Sequence, residues 1–118
     1  MPRSLRAYLW DIEQAASDIL NFTTGKRLID YENDSMLRAA VERKFEVIGE
    51  ALSQAHRYFP EVVSPVREQQ QVIAFRNRLI HGYATVRNAL VWEIVQVNLP
   101  RLLEEVAELR REIDAQGQ

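Results

Sequence analysis

The sequence contains no cysteine, so disulfides, thiolate metal sites and cysteine nucleophiles are excluded together. Histidine is nearly as scarce: His56 and His81 are the only two, too few for a histidine-rich metal cluster. No uninterrupted apolar run approaches the roughly 20 residues of a membrane span, and the opening MPRSLRAYLWDIEQ turns charged before an apolar signal core can form. The expectation is a cytoplasmic protein that does not enter a membrane. A general excess of positive charge is also missing. With a formal net charge of −2 and a pI near 5.7, there is no basic coat, so any contact with nucleic acid has to be local or steered by a partner.

What is present fits one domain, 1–118, large enough to bury roughly two thirds of the surface its unfolded chain exposes. There is no internal repeat, no low-complexity tract and no linker long enough to divide it. Apolar residues recur at steps of three and four, which predicts an all-α bundle of four to five helices. Ser4 caps the first helix, whose stripe is Leu5, Tyr8, Leu9, Ile12, Ala16, Ile19 and Thr23, and Gly25 ends it. Between Lys26 and Asn33 a short helix and a bend are equally compatible with the pattern. Asn33 and Asp34 offer the next cap, for a helix from Ser35 to Tyr58 with Leu37, Ala40, Val41, Phe45, Ile48, Leu52 and Ala55 inward.

The other side of that helix carries Arg38, Glu42, Glu46 and Glu50. It reads either as a solvated face, with Arg38 and Glu42 paired along the helix, or as a polar wall facing residues 75–83. Pro60 and Pro65 bracket a break, and Ser64–Pro65 reads as the cap and first turn of a third long helix. That helix faces inward with Val66, Ile73, Ile80 and one of Val72 or Phe75, and Gly82 stops it. A last helix is expected after Thr85, capped by Asn88, with Val91, Ile94, Val95, Leu102, Val106, Leu109 and Ile113 inward and a kink at Pro100. His56 reads as structural or exposed; Trp10 and Trp92 read as core or dimer-interface residues.

Chemistry concentrates in Phe75–Tyr83, FRNRLIHGY, which gathers Arg76, Asn77, Arg78, His81 and Tyr83 into nine residues. Imidazole titrates near neutral pH and can move a proton to or from a ribose hydroxyl, while guanidinium holds phosphate with two parallel hydrogen bonds. Together they supply what phosphodiester chemistry needs without a metal. From Gln69 to Trp92 the only charged residues are Arg76, Arg78 and Arg87, a basic island in an acidic chain. Asn77 can orient His81 or the phosphate, or simply cap the backbone. His81 follows Arg76 by five residues, a rotation of roughly 140 degrees on a regular helix. Either the helix distorts near His81 or the working pair assembles across two copies.

The spacing Arg76, Asn77, His81, Tyr83 resembles the motif of the HepT-like toxins of the HEPN superfamily, and FEVIGEAL (45–52) and VWEIVQVNLPRL (91–102) resemble that family at the corresponding places. The resemblance implies a homodimer with a composite groove and a metal-independent endoribonuclease that needs no cofactor. In it Arg76 and His81 are the catalytic pair; beside them Asn77 reads as a supporting residue, Arg78 as an electrostatic contact to RNA or to an acidic partner, and Arg87 as an addition to a basic rim for RNA. Arg87 departs from the acidic or polar residue more usual at that place. The resemblance also implies a nucleotidyltransferase antitoxin that transfers AMP to the hydroxyl of Tyr83, against a plainer reading of Tyr83 as an amphipathic side chain on the core edge. The rival function is a non-catalytic helical subunit whose Arg76, Arg78 and His81 bind nucleotide or phosphate. A structural interaction module is the third reading.

Overall fold

The structure, a computed structural model, describes residues 3–63 and 87–117. Among these the regular elements are all helical: α1 (Leu5–Thr23), α2 (Leu28–Glu32), α3 (Ser35–Tyr58), α4 (Pro60–Val63), α5 (Arg87–Glu93), a π turn (Ile94–Asn98) and α6 (Leu99–Gln116). The all-α bundle expected from the sequence is what forms. Its core is the union of three stripes. On α1 Leu9, Ile12, Ala16 and Ile19 are fully buried, on α3 Val41, Phe45, Ile48, Leu52 and Ala55, and on the last helix Val91, Leu99, Leu102 and Val106. Burying each large aliphatic or aromatic side chain contributes about 1.5–3 kcal/mol. Small residues at Ala15, Ala16, Gly49, Ala51 and Ala55 keep the facing surfaces of α1 and α3 low, and these two helices form the most extensive packing in the bundle.

Local chemistry fixes the boundaries. The Ser4 hydroxyl accepts from the Ala7 N–H at 3.1 Å, and the Asp34 carboxylate accepts from the Leu37 N–H at 3.0 Å, so each long helix starts on a side-chain cap. After α1 the chain turns through Gly25 at φ 74°, a left-handed conformation that a side chain would disfavour. The segment left open between bend and helix is α2, its start held by the Asp30 carboxylate accepting from the Arg27 N–H at 2.8 Å. Arg38 closes the other end of α2, donating to the carbonyls of Tyr31 and Glu32. The pairing along α3 suggested for Arg38 and Glu42 is seen a step further on, between Arg43 and Glu46 at 3.2 Å.

Pro60 ends α3 as expected, taking the first position of α4 after Phe59 leaves the helical region. The helix expected from Pro65, with Val66, Val72, Ile73, Ile80 and its stop at Gly82, lies outside the described residues. Asn88 is not a cap: α5 already includes Arg87, so whatever caps that helix precedes it. The irregularity expected at Pro100 takes the form of the π turn just before it. The Leu99 N–H reaches back five residues to the Ile94 carbonyl, and the wider turn accommodates a proline ring that has no N–H for the carbonyl of Gln96. Trp10 is 54% exposed and is therefore not a core residue, because it sits about 100 degrees around α1 from Leu9. Trp92 does pack on the core, its ring 5.6 Å from that of Tyr31. His56 is exposed in the last turn of α3. No described helix is long and apolar enough to cross a membrane.

Candidate functional site

Arg76, Asn77, Arg78, His81 and Tyr83 all lie outside the described residues, so their mutual geometry is not part of what the structure establishes. Arg87 is placed as the first residue of α5. The structure fixes the two ends between which the motif is strung. The chain leaves the described bundle at Val63, where α4 packs on α3, and returns at Arg87, one helical turn before the buried Val91. That return point is anchored. Helix α5 lies against α2 through Trp92 and Tyr31, and Val91, Ile94 and Val95 are in the core.

The polar face of α3 is half of an open groove of about 490 Å³ whose other half is the start of α1. Glu46, Glu50, Arg43 and Gln54 line it from α3, and Arg3, Tyr8 and Asp11 from the α1 side. Its groups are engaged with one another. The Arg3 guanidinium donates to Asp11 and lies 5.5 Å from the centre of the Tyr8 ring, Arg43 pairs with Glu46, and the Gln54 amide donates to Glu50 at 3.2 Å. The hydrogen bond to Asp11, and then its charge, raise the pKa of Arg3 above its ordinary value. The neighbours described for Glu46 and Glu50 are those of α1, and residues 75–83, which a polar wall on α3 would face, lie outside the described residues.

A second charged cluster ties α1 to α6. Arg110 donates to Glu13 and pairs with Asp114 at 3.3 Å, and the Arg6 Nε donates to Asp114 at 2.8 Å. Glu13 first, by hydrogen bond and then by charge, raises the pKa of Arg110. Lys44 and Asp18, 3.0 Å apart, make a corresponding link between α3 and α1. None of these residues had been singled out from the sequence. The signal was there in that Glu13 follows the buried Ile12 and Arg110 follows Leu109, opposite charges flanking two apolar stripes, but pairing them requires knowing that the helices are neighbours. Among the described residues no group of three or more His, Asp or Glu side chains is arranged to hold a metal ion.

Comparison with known proteins supplies what the described residues do not. A family model described as ribonuclease HepT-like matches residues 12–109, a span that runs through Phe75–Tyr83. A protein of Methanocaldococcus jannaschii, provisionally named an RNase, is 35% identical over 104 residues, covering 88% of this chain and 94% of that protein. A second provisionally named RNase of the same organism is 30% identical over 122 residues, covering 98% of this chain and 95% of its own. A Thermococcus cleftensis protein, provisionally named ribonuclease HepT, is 34% identical over 115 residues, covering 94% of this chain and all of its own. No solved structure matches the chain.

Proposed function

This chain belongs to the HepT-like ribonuclease family, and from that premise we propose that it is a metal-independent endoribonuclease and the toxin of a toxin–antitoxin pair. The observation that carries the reading is a family match running unbroken through a segment whose only charged residues are arginines around a histidine and a tyrosine. In the proposed reaction His81 moves a proton at the ribose 2′-hydroxyl as its oxygen bonds to phosphorus. The bond from phosphorus to the 5′ oxygen breaks, and that oxygen leaves with a proton. Arg76 holds the non-bridging oxygens and offsets the charge that builds on them in the transition state. Asn77 orients the imidazole or the phosphate. Arg78 and Arg87 add a basic rim for the flanking backbone of the RNA.

Two copies meeting at this segment explain why five residues separate Arg76 from His81. The pair need not converge within one helix if each copy lends one member to a shared groove, so the proposed active form is a homodimer. AMP placed on Tyr83 by a nucleotidyltransferase antitoxin sets a phosphate beside Arg76 and His81. It competes with RNA for the same cations, a steric and electrostatic switch.

The test is cleavage of RNA in EDTA by the purified protein and by Arg76→Ala, with intact mass recorded for each. Cutting by the unchanged protein and its loss in the variant support the ribonuclease. If RNA is bound but never cut by protein carrying no AMP, the chain is instead the phosphate-binding subunit.

A further inference from the structure

Helix α6 and the Leu20 turn of α1 form a second groove that shares no lining residue with the first. It has a volume of about 910 Å³. Leu20 of α1 with Pro100, Leu103, Ala107 and Leu109 gives it an apolar floor, and Glu104, Glu105, Glu108 and Glu112 stand along its rim against the single Arg111. Of these, Glu108 is paired with Arg111 at 2.6 Å and Glu105 is engaged, so the exposed Glu104 and Glu112 carry the imbalance of charge. The remaining basic residue of that turn does not relieve the imbalance, because Arg110 points the other way, to Glu13 on α1. From Pro100 to Glu112 the groove runs roughly 18 Å, about three turns of helix.

We propose that this groove is a docking site for a partner protein's basic amphipathic helix of about three turns, its apolar side on Leu103, Ala107 and Leu109 and its lysines or arginines on the glutamates. Charge decides the occupant. A row of carboxylates repels a phosphate backbone, so this face takes protein where the arginine-bearing segment takes RNA. The apolar floor adds what charge alone does not, a reason for the partner to bury a surface here rather than pass over it. The groove's Glu104, Glu108 and Glu112 also recur at steps of four, so a straight helix laid alongside meets one carboxylate per turn. The inference is independent of the ribonuclease reading, since it uses none of Arg76, His81 or Tyr83.

The probe is a fluorescein-labelled twelve-residue peptide of leucine, alanine and lysine patterned as an amphipathic helix, titrated with the full chain and read by anisotropy. Glu104→Lys with Glu112→Lys is expected to weaken binding at least tenfold, and Leu103→Asp to weaken it by a similar factor. A control with the same change in net charge, Glu32→Lys with Glu93→Lys, is expected to leave it within twofold. Circular dichroism and light scattering of each variant accompany the titration. Equal loss in the control means general attraction to an acidic protein, and unchanged binding in the groove variants means another site; either overturns the proposal. A lower oligomeric mass in the groove variants alone assigns the groove to a second copy of this chain and overturns it too.

Discussion

Two regions of this chain differ in the sign of their charge. Residues 69–92 hold three arginines and no acid, whereas 93–114 hold six acids and three arginines. In the second region the geometry is known: Arg110 and Asp114 are spent on tying α6 to α1, while Glu104 and Glu112 of the groove are exposed. Along the sequence the two signs are segregated, so the net charge of −2 hides a basic stretch and an acidic one. The comparison makes overall pI a poor guide to partners here. What matters is which helix carries each sign and whether its charges are already paired within the bundle.

The comparison breaks most directly at His81. His81→Ala is expected to lower RNA cleavage by about a hundredfold to ten-thousandfold, the usual contribution of a positioned acid–base group, while binding of RNA persists. If binding falls with cleavage, the histidine serves as a cation and the basic region only holds phosphate. A change in the shared scaffold is expected to damage both regions together. Leu52 is fully buried on α3, and Leu52→Ala is expected to cost about 2–5 kcal/mol in urea unfolding, with cleavage and peptide binding lost at the same denaturant concentration. Separate losses would mean that the two faces do not rest on one cooperative core.

Smaller effects sharpen the picture. Tyr83→Phe is expected to remove the site of AMP transfer while retaining cleavage, read as an unchanged intact mass after coexpression with a nucleotidyltransferase. Persistence of the AMP would move the modification to another residue. Asp34→Ala takes the cap from α3 and is expected to cost about 1 kcal/mol, seen in thermal unfolding, with no change in the affinity of either face.

Much of this architecture could be read directly. The bounds of α3, the caps at Ser4 and Asp34 and the inward stripes of α1 and α3 follow from periodicity and local hydrogen bonding, interactions that span only a few residues. What escaped the sequence depends on distant partners. Trp10, read as a core or dimer-interface residue, is exposed beside the stripe, Leu99 was not singled out, and the Glu13–Arg110 link joins residues 97 positions apart. Asn88 misled because a capping residue type one position inside a helix looks the same as a cap in one dimension. For the candidate site the order is reversed. Its residues are proposed from the motif and the resemblance alone, and the structure describes only the ends of the segment that bears them.

The central claim is that cleavage belongs to the basic segment and partner docking to the acidic face. It is tested most directly by one assay of RNA cleavage in EDTA, run side by side on the unchanged protein, His81→Ala, and Glu104→Lys with Glu112→Lys, each at verified mass. The account predicts that the unchanged protein and the groove variant cut at rates within about threefold of each other, and that His81→Ala does not cut. Cleavage by His81→Ala at the rate of the unchanged protein would contradict it.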